Sequence, residues 1–117
     1  MTHRVVWFDM PVTDLARASR FYSKVLEAEI NEEFPGVSVF KHGSDDVTGC
    51  LYLSDEVTPS DQGVLLYFDV SGRLDQALAA VGQYGGSIQK PTESIGEFGQ
   101  RAIVLDCEGN RIALHSE

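Results

Sequence analysis

The sequence predicts an α+β fold. It reads as one domain, residues 1–117, built from two tandem βαβββ modules whose curved mixed sheets enclose a cavity. Two observations carry this. Strand-like and helix-like apolar periodicities follow one another in the order strand, helix, three strands, and that order occurs twice. A polar stretch without periodicity, "DEVTPSDQG" at 55–63, separates the two runs, so the modules cover about 4–54 and 64–116. Each half offers one helix to a four-stranded sheet and leaves one sheet face uncovered. The halves must therefore bury surface against each other or against a partner. With 43% hydrophobic residues the chain has enough apolar surface for one modest core.

In the first module "RVVWFDMPV" is β-branched and aromatic, and Pro11 is expected to end it as a strand. Leu15, Ala18, Phe21, Tyr22, Val25 and Leu26 recur at three- and four-residue steps. They make one apolar helical face, with Thr13 or Asp14 as the N-cap. "EINEEF", "GVSVFKHG" and "TGCLYLS" are short strands, turned by Pro35-Gly36 and by "GSDD". In the second module "VLLYFDV" is a strand and "GRLDQALAAVGQYGG" a helix stopped by Gly85-Gly86. "SIQKPTE", "QRAIVLD" and "RIALHS" complete it, with "EGN" as the tight turn before the last strand. Glu97 and Phe98 lie in a Gly-bracketed loop, read as a hairpin connection or as a lid over the cavity mouth.

The net charge of −9 argues against nucleic acid, since no basic patch is available to neutralise phosphates, and against anionic membranes. An acidic surface confers solubility and attracts cationic ligands. No apolar run approaches the ~20 residues of a membrane span. "MTHRVVWFDM" has neither a long apolar stretch nor a small-residue cleavage site, so no signal peptide and a cytoplasmic location are expected. The two cysteines, Cys50 and Cys107, form no CxxC pair and read as buried thiols in a reducing compartment. His3 and His42 flank a terminus and a turn, where surface roles are expected. Glu32-Glu33 and Ser44–Asp46 read as solvated edges.

Three stretches carry a family resemblance: "FDMPVTDLARASRFYSKVL", "YFDV" followed by "LDQALAAVGQYGG", and "DCEGNRIALHS". Together they resemble the vicinal oxygen chelate superfamily of glyoxalase I, extradiol dioxygenases, fosfomycin-resistance enzymes and bleomycin-binding proteins. The last stretch is similar to the family's Asp-Pro-x-Gly-Asn ending, with Cys107 in place of the usual Pro. The nearest subgroup by "FDMPV" and "GNRIALHS" is the small glyoxalase-related bacterial proteins, mostly without an assigned reaction. The resemblance implies a homodimer, because small members usually pair.

It also implies where a metal would sit. Family enzymes hold one divalent ion between four strands with His, Glu or Gln ligands. Carried onto this chain, the first position is Trp7, whose indole offers no lone pair. The second-module counterpart is Leu65, or Leu66 in a register set by Gly85-Gly86. The final-strand position is Ala113. The remaining one falls in "GCLYLS", which has no His, Glu or Gln. No metal and no cofactor are therefore expected.

Strand alternation then predicts a cavity lined by Trp7, Asp9, Leu65, Tyr67, Asp69, Ala113 and His115. Ligand binding is assigned to Trp7, Asp9, Leu65, Tyr67, Ala113 and His115, and Asp9, Asp69 and His115 are the candidate catalytic groups. Each has a plainer reading: Trp7 as a core aromatic, Asp9 and Asp69 as acceptors for turn amides, His115 as a strand end. Two function classes follow. One is a protein of the bleomycin-resistance kind that binds a small organic molecule, with Trp7 and the carboxylates favouring a cationic aromatic. The other is an enzyme: a metal-independent lyase or isomerase, or a glyoxalase- or dioxygenase-type enzyme with displaced metal ligands. A regulatory or structural partner without a ligand is the remaining possibility.

Overall fold

The computed structural model describes residues 5–43 and 46–117. His3 and the Ser44–Asp45 part of the acidic turn lie outside the described residues. The first module comprises β1 (Trp7–Val12), α1 (Leu15–Leu26), β2 (Ile30–Phe34), β3 (Val37–Phe40) and β4 (Thr48–Leu53). The second comprises β5 (Leu66–Asp69), α2 (Leu74–Gln83), β6 (Ser87–Ser94), β7 (Gln100–Leu105) and β8 (Arg111–Ser116). The sheets share one topology, β1-β4-β3-β2 and β5-β8-β7-β6. In each, the first and last strands of the module pair in parallel and the other pairs are antiparallel.

β1 does not stop at Pro11. It runs on to Val12, and Pro11 stands opposite Tyr52 of β4. β1 is an edge strand hydrogen-bonded on one side only, so the missing N–H of a proline leaves no ladder partner unsatisfied there. β5 is shorter than the apolar run suggests and starts at Leu66, which pairs with Ile112 near the start of β8. Val64, with no strand beside it, is exposed. α1 begins as expected: the Asp14 carboxylate accepts the Arg17 amide at 3.0 Å. α2 ends at the two glycines. Gly85 has φ +98°, and a Cβ on Gly86 would come within 2.5 Å of the Leu105 carbonyl oxygen. "SIGEFGQ" folds as a single 3₁₀ turn, Gly96–Phe98, with the Phe98 ring exposed to solvent.

Alternation along the strands sends Phe8, Met10, Val12, Leu66, Phe68 and Val70 toward the helices, where they join one core with Phe21, Tyr22 and Val81. The core crosses between modules. The ring of Phe68 lies 5.7 Å from Phe8, 5.7 Å from Tyr22 and 6.0 Å from Phe40. Gly49 gives Phe8 its room, because any Cβ there would stand 2.6 Å from the Phe8 ring. The other set of alternating residues, Trp7 and Asp9 of β1, Tyr67 and Asp69 of β5, and Ala113 and His115 of β8, occupies the face of each sheet without helices.

A second link between the modules is polar. The β7–β8 turn, 106–110, reaches back to the first module. Buried Asp106 accepts the amides of Glu108 and Asn110 at 2.8 and 2.9 Å, and the Tyr22 phenol of α1 donates to it at 2.5 Å. Asn110 donates from Nδ2 to the Pro11 carbonyl at 3.0 Å and accepts the Ser60 amide of the linker at 3.1 Å. The side chain of Glu108 is 2% exposed. It accepts the Thr13 amide and hydroxyl, the Asp14 amide and Arg17 Nη2, all within 2.9 Å. Burial raises the pKa of Glu108, but these donors outweigh it and hold the carboxyl below its ordinary value. Burial, and then Asp106, push the Tyr22 phenol well up, so it remains a donor.

Two outcomes follow from this turn. Tyr22→Phe removes one of the donors to the buried Asp106 carboxylate and should cost about 1–3 kcal/mol in urea denaturation. For Glu108 the sign is that of a depressed carboxyl: its stabilisation is complete above the ordinary value of 4.5 and is lost as pH falls through the lower folded value. Glu108→Gln should therefore be less stable than the parent at pH 7, by about 2 kcal/mol, with the gap closing in strong acid. A gap independent of pH would show that the charge of Glu108 is not what binds it.

Candidate functional site

The helix-free face is divided at the seam between β1 and β5, which belong to separate sheets. A cavity of about 430 Å³ opens beside β1. Its walls include Trp7, Asp9 and Pro11 of β1, Val57 of the linker, Val64 just before β5, and Arg111 of β8. A second, of about 640 Å³, lies beside β5 and includes Val5, His42, Thr48, Tyr67 and Asp69. A third hollow of about 390 Å³ lies between Phe98 and His115.

Trp7 is 43% exposed and so is not a core aromatic. Its ring is nevertheless fixed. Nε1 donates to Asp9 Oδ1 at 2.8 Å, and its edge meets the exposed His42 ring at 6.4 Å. Asp9 Oδ1 also accepts from the Cys50 thiol at 3.2 Å. The partners of Asp9 are thus a ring N–H and a thiol rather than turn amides. Burial, with Asp9 beside it, pushes the Cys50 thiol up to about 12. Cys107 is half-buried and is pushed up to about 11 by burial and by Asp106. Neither forms a disulfide, and neither has the thiolate character a nucleophile needs.

Asp69 does have the plain role considered for it. Its carboxylate accepts the Ser71 amide at 2.9 Å, and the hydrogen bonds from the Ser71 side chain and backbone hold its pKa down. His115 Nε2 lies 2.5 Å from the Phe98 carbonyl. A carbonyl only accepts, so Nε2 carries the proton and Nδ1 is the free nitrogen of the neutral ring. Ala113 is fully buried beneath the face, opposite Tyr67 in the register. Leu65 is half-buried just before β5 and lines none of these cavities. The structure thus brings together Trp7 with Asp9, and Tyr67 with Asp69 and with His115, whose ring centroid lies 6.3 Å from that of Tyr67, rather than setting them all around one shared cavity.

Arg101 was not among the expected residues. It stands opposite His115 in the β7–β8 ladder. Its Nη1 donates to the Tyr67 hydroxyl, its Nε pairs with Glu93 Oε1 at 3.3 Å, and its Cζ lies 5.8 Å from the Tyr67 ring centroid. The signal was present in the sequence: counting both strands back from the "EGN" turn pairs 105 with 111 and so 101 with 115. The linker residue Val57 gave no comparable signal, because no periodicity says where an irregular segment lies, and Val64 is expected in a strand that starts only at Leu66.

The positions where related enzymes carry metal ligands do not fit a metal here. The indole N–H of Trp7 is a donor already engaged by Asp9, Leu65 and Leu66 are aliphatic, and Ala113 has no donor atom. On β4 the helix-free face presents Thr48, Cys50 and Tyr52, opposite Trp7, Asp9 and Pro11, and the Cys50 thiol is held protonated. Among the described residues no three His, Cys, Asp or Glu side chains are grouped so as to hold an ion.

Residues 4–114 match the sequence profile of the Glyoxalase/Bleomycin resistance protein/Dioxygenase superfamily. The chain belongs to this superfamily. No curated protein matches it significantly. Solved structures share the fold at low identity. A glyoxalase/bleomycin resistance protein from Albidiferax ferrireducens T118 superposes with a TM-score of 0.80 at 18% identity, over 96% of this chain and 97% of that one. A glyoxalase-related enzyme from Fulvimarina pelagi gives 0.78 at 14%, over 99% and 89%. The fosfomycin resistance protein FosX from Mesorhizobium loti gives 0.73 at 17%, over 100% and 94%. The two modules of this superfamily member are thus the fold expected from its sequence.

Thiol chemistry provides the check on this site. Alkylation of Cys50 by iodoacetamide in the native protein at pH 7.5 should be slower than in the urea-unfolded chain by about a hundredfold or more. Equal rates would mean that the Asp9–Cys50 contact does not form.

Proposed function

We propose that this superfamily member binds a small organic molecule on its helix-free face and needs no metal to do so. The observation that carries the reading is the Trp7–Asp9 pair. An indole held by a carboxylate, in a largely apolar cavity of about 430 Å³, presents an aromatic wall beside a negative charge. That combination favours a cationic aromatic ligand, which gains from the ring and from the carboxylate together. The overall charge of −9 assists its approach. Trp7 is the single tryptophan, so its emission reports the site directly. Titration with benzyltrimethylammonium should quench or shift that emission, and Asp9→Asn should weaken binding by about five- to tenfold. No change in emission or heat with this ligand and related cationic aromatics would remove the reading.

The protein is further proposed to work as a cytoplasmic homodimer. Val5, Val6, Val47, Val57 and Val64 are each more than half exposed and flank the seam. A second copy laid against that collar would bury it. Light scattering at micromolar concentration should give twice the 12.9 kDa chain mass. A monomer there would overturn the proposal.

A second reading, a metal-independent lyase or isomerase, draws on His115. The Phe98 carbonyl sets its tautomer and leaves Nδ1 free to take a proton. It requires turnover that His115→Gln abolishes, whereas the binding reading requires none.

A further inference from the structure

We infer that the helix-free face of β5, β7 and β8 holds a second ligand subsite, one that takes a carboxylate carried on an apolar body. The inference stands on Tyr67, Arg101 and His115, apart from the Trp7–Asp9 pair. The Tyr67 oxygen accepts from Arg101 Nη1, so the phenol hydrogen points elsewhere, and among the described residues nothing accepts it. Arg101 uses Nε on Glu93 and Nη1 on Tyr67, and its Nη2 has no partner among the described residues. His115 is held at Nε2 by the Phe98 carbonyl, and its ring centroid lies 6.3 Å from that of Tyr67. A guanidinium N–H₂ and a phenol O–H, positioned by one shared hydrogen bond, are two donors without acceptors. Protonated His115 would add a third. A carboxylate has the oxygens to accept them all, and charge-assisted bonds of this kind are short and strong.

The surroundings have the right sign. The chain has nine Lys and Arg residues against eighteen Asp and Glu. Yet three of the nine stand in this sheet: Lys90 opposite Ile103, Arg101 opposite His115, and, toward the Trp7–Asp9 cavity, Arg111 opposite Leu105. Of the acids nearby, Glu93 is engaged by Arg101, Asp69 by the Ser71 amide and Asp46 by the Gly43 amide, while Glu97 and Glu117 line the separate hollow on the far side of His115 from Tyr67. The apolar body has a place as well. Tyr67 forms a wall of the cavity of about 640 Å³ that also includes Val5, Val47 and Leu66. A ligand lying along that cavity sets its anionic end at the Tyr67 hydroxyl.

The test is calorimetric titration of phenylacetate into the whole protein and into Tyr67→Phe, Arg101→Gln and Asp9→Asn, with melting temperatures confirming that each variant folds. Phenylacetate should bind the parent. Its affinity should fall about tenfold or more in Arg101→Gln and about threefold in Tyr67→Phe, and should not change in Asp9→Asn. Tyr67→Phe removes one atom only and keeps the test decisive if Arg101→Gln misfolds. Acetate, lacking the apolar body, should bind at least about tenfold more weakly than phenylacetate. No heat from phenylacetate at about 10 mM, a level that would reveal millimolar binding, overturns the inference. So does an affinity indifferent to Tyr67 and Arg101, or one matched by acetate.

Discussion

One turn holds this protein together. The five residues of the β7–β8 connection carry Asp106, Glu108 and Asn110, and each reaches out of its own module. Asp106 takes the Tyr22 phenol from α1, Glu108 caps the start of α1, and Asn110 ties β1 to the linker. Backbone amides at a helix N-terminus need acceptors. Here Asp14 accepts the Arg17 amide from within, and the Glu108 carboxylate, more than ninety residues away in the sequence, accepts the Thr13 and Asp14 amides just before the helix. The arrangement is costly to disturb because its members are buried, and a buried carboxylate without its donors loses far more than one hydrogen bond. It complements the ring cluster of Phe8, Tyr22, Phe40 and Phe68, which is apolar and so fixes proximity more than register.

With the helices and these links on one side, the other side of both sheets is left without helices. The strand period sends Phe8 and Phe68 to the core and their neighbours Trp7, Asp9, Tyr67 and Asp69 outward. The same parity that secures the fold therefore selects the chemistry of the open face. That chemistry differs between the modules. The first presents an indole and a carboxylate; the second presents a phenol, a guanidinium and an imidazole. The family resemblance implies comparable positions gathered around one metal. In this chain the residues at those positions lack the donor atoms, and each module's polar groups are instead engaged with one another across short distances.

The electrostatics sharpen the contrast. In the first module Asp9 draws donors from Trp7 and Cys50, and the thiol is held in its protonated form. In the second, Arg101 draws its partners from Tyr67 and Glu93. A chain as acidic as this one spends little positive charge, so its concentration on one sheet face is a local feature that the overall balance conceals. The mutual fixing of side chains would also lower the ordering cost of the binding proposed, since rings already held in place lose little freedom.

How much of this could be read beforehand depends on the range of the interaction. Helix faces, strand order, the repeat and the turn glycines are local, set by periodicity and backbone conformation, and they were legible. So was the unsuitability of Trp7 and Ala113 as metal ligands, since that is a property of the side chain alone. Arg101 beside His115 was within reach by counting from a tight turn, because antiparallel register propagates one residue at a time. The end of β1 lies past Pro11, where the sequence alone places it, since whether a proline is tolerated depends on whether its strand lies at an edge. The division of the face into separate cavities, the engagement of Asp9 by Trp7 and Cys50, and the burial of Glu108 depended on how two sheets and an irregular linker pack. Periodicity and composition set the elements and the chemical types available. Which of them meet follows from packing, because side chains distant in sequence come within hydrogen-bond reach only when their strands are brought together.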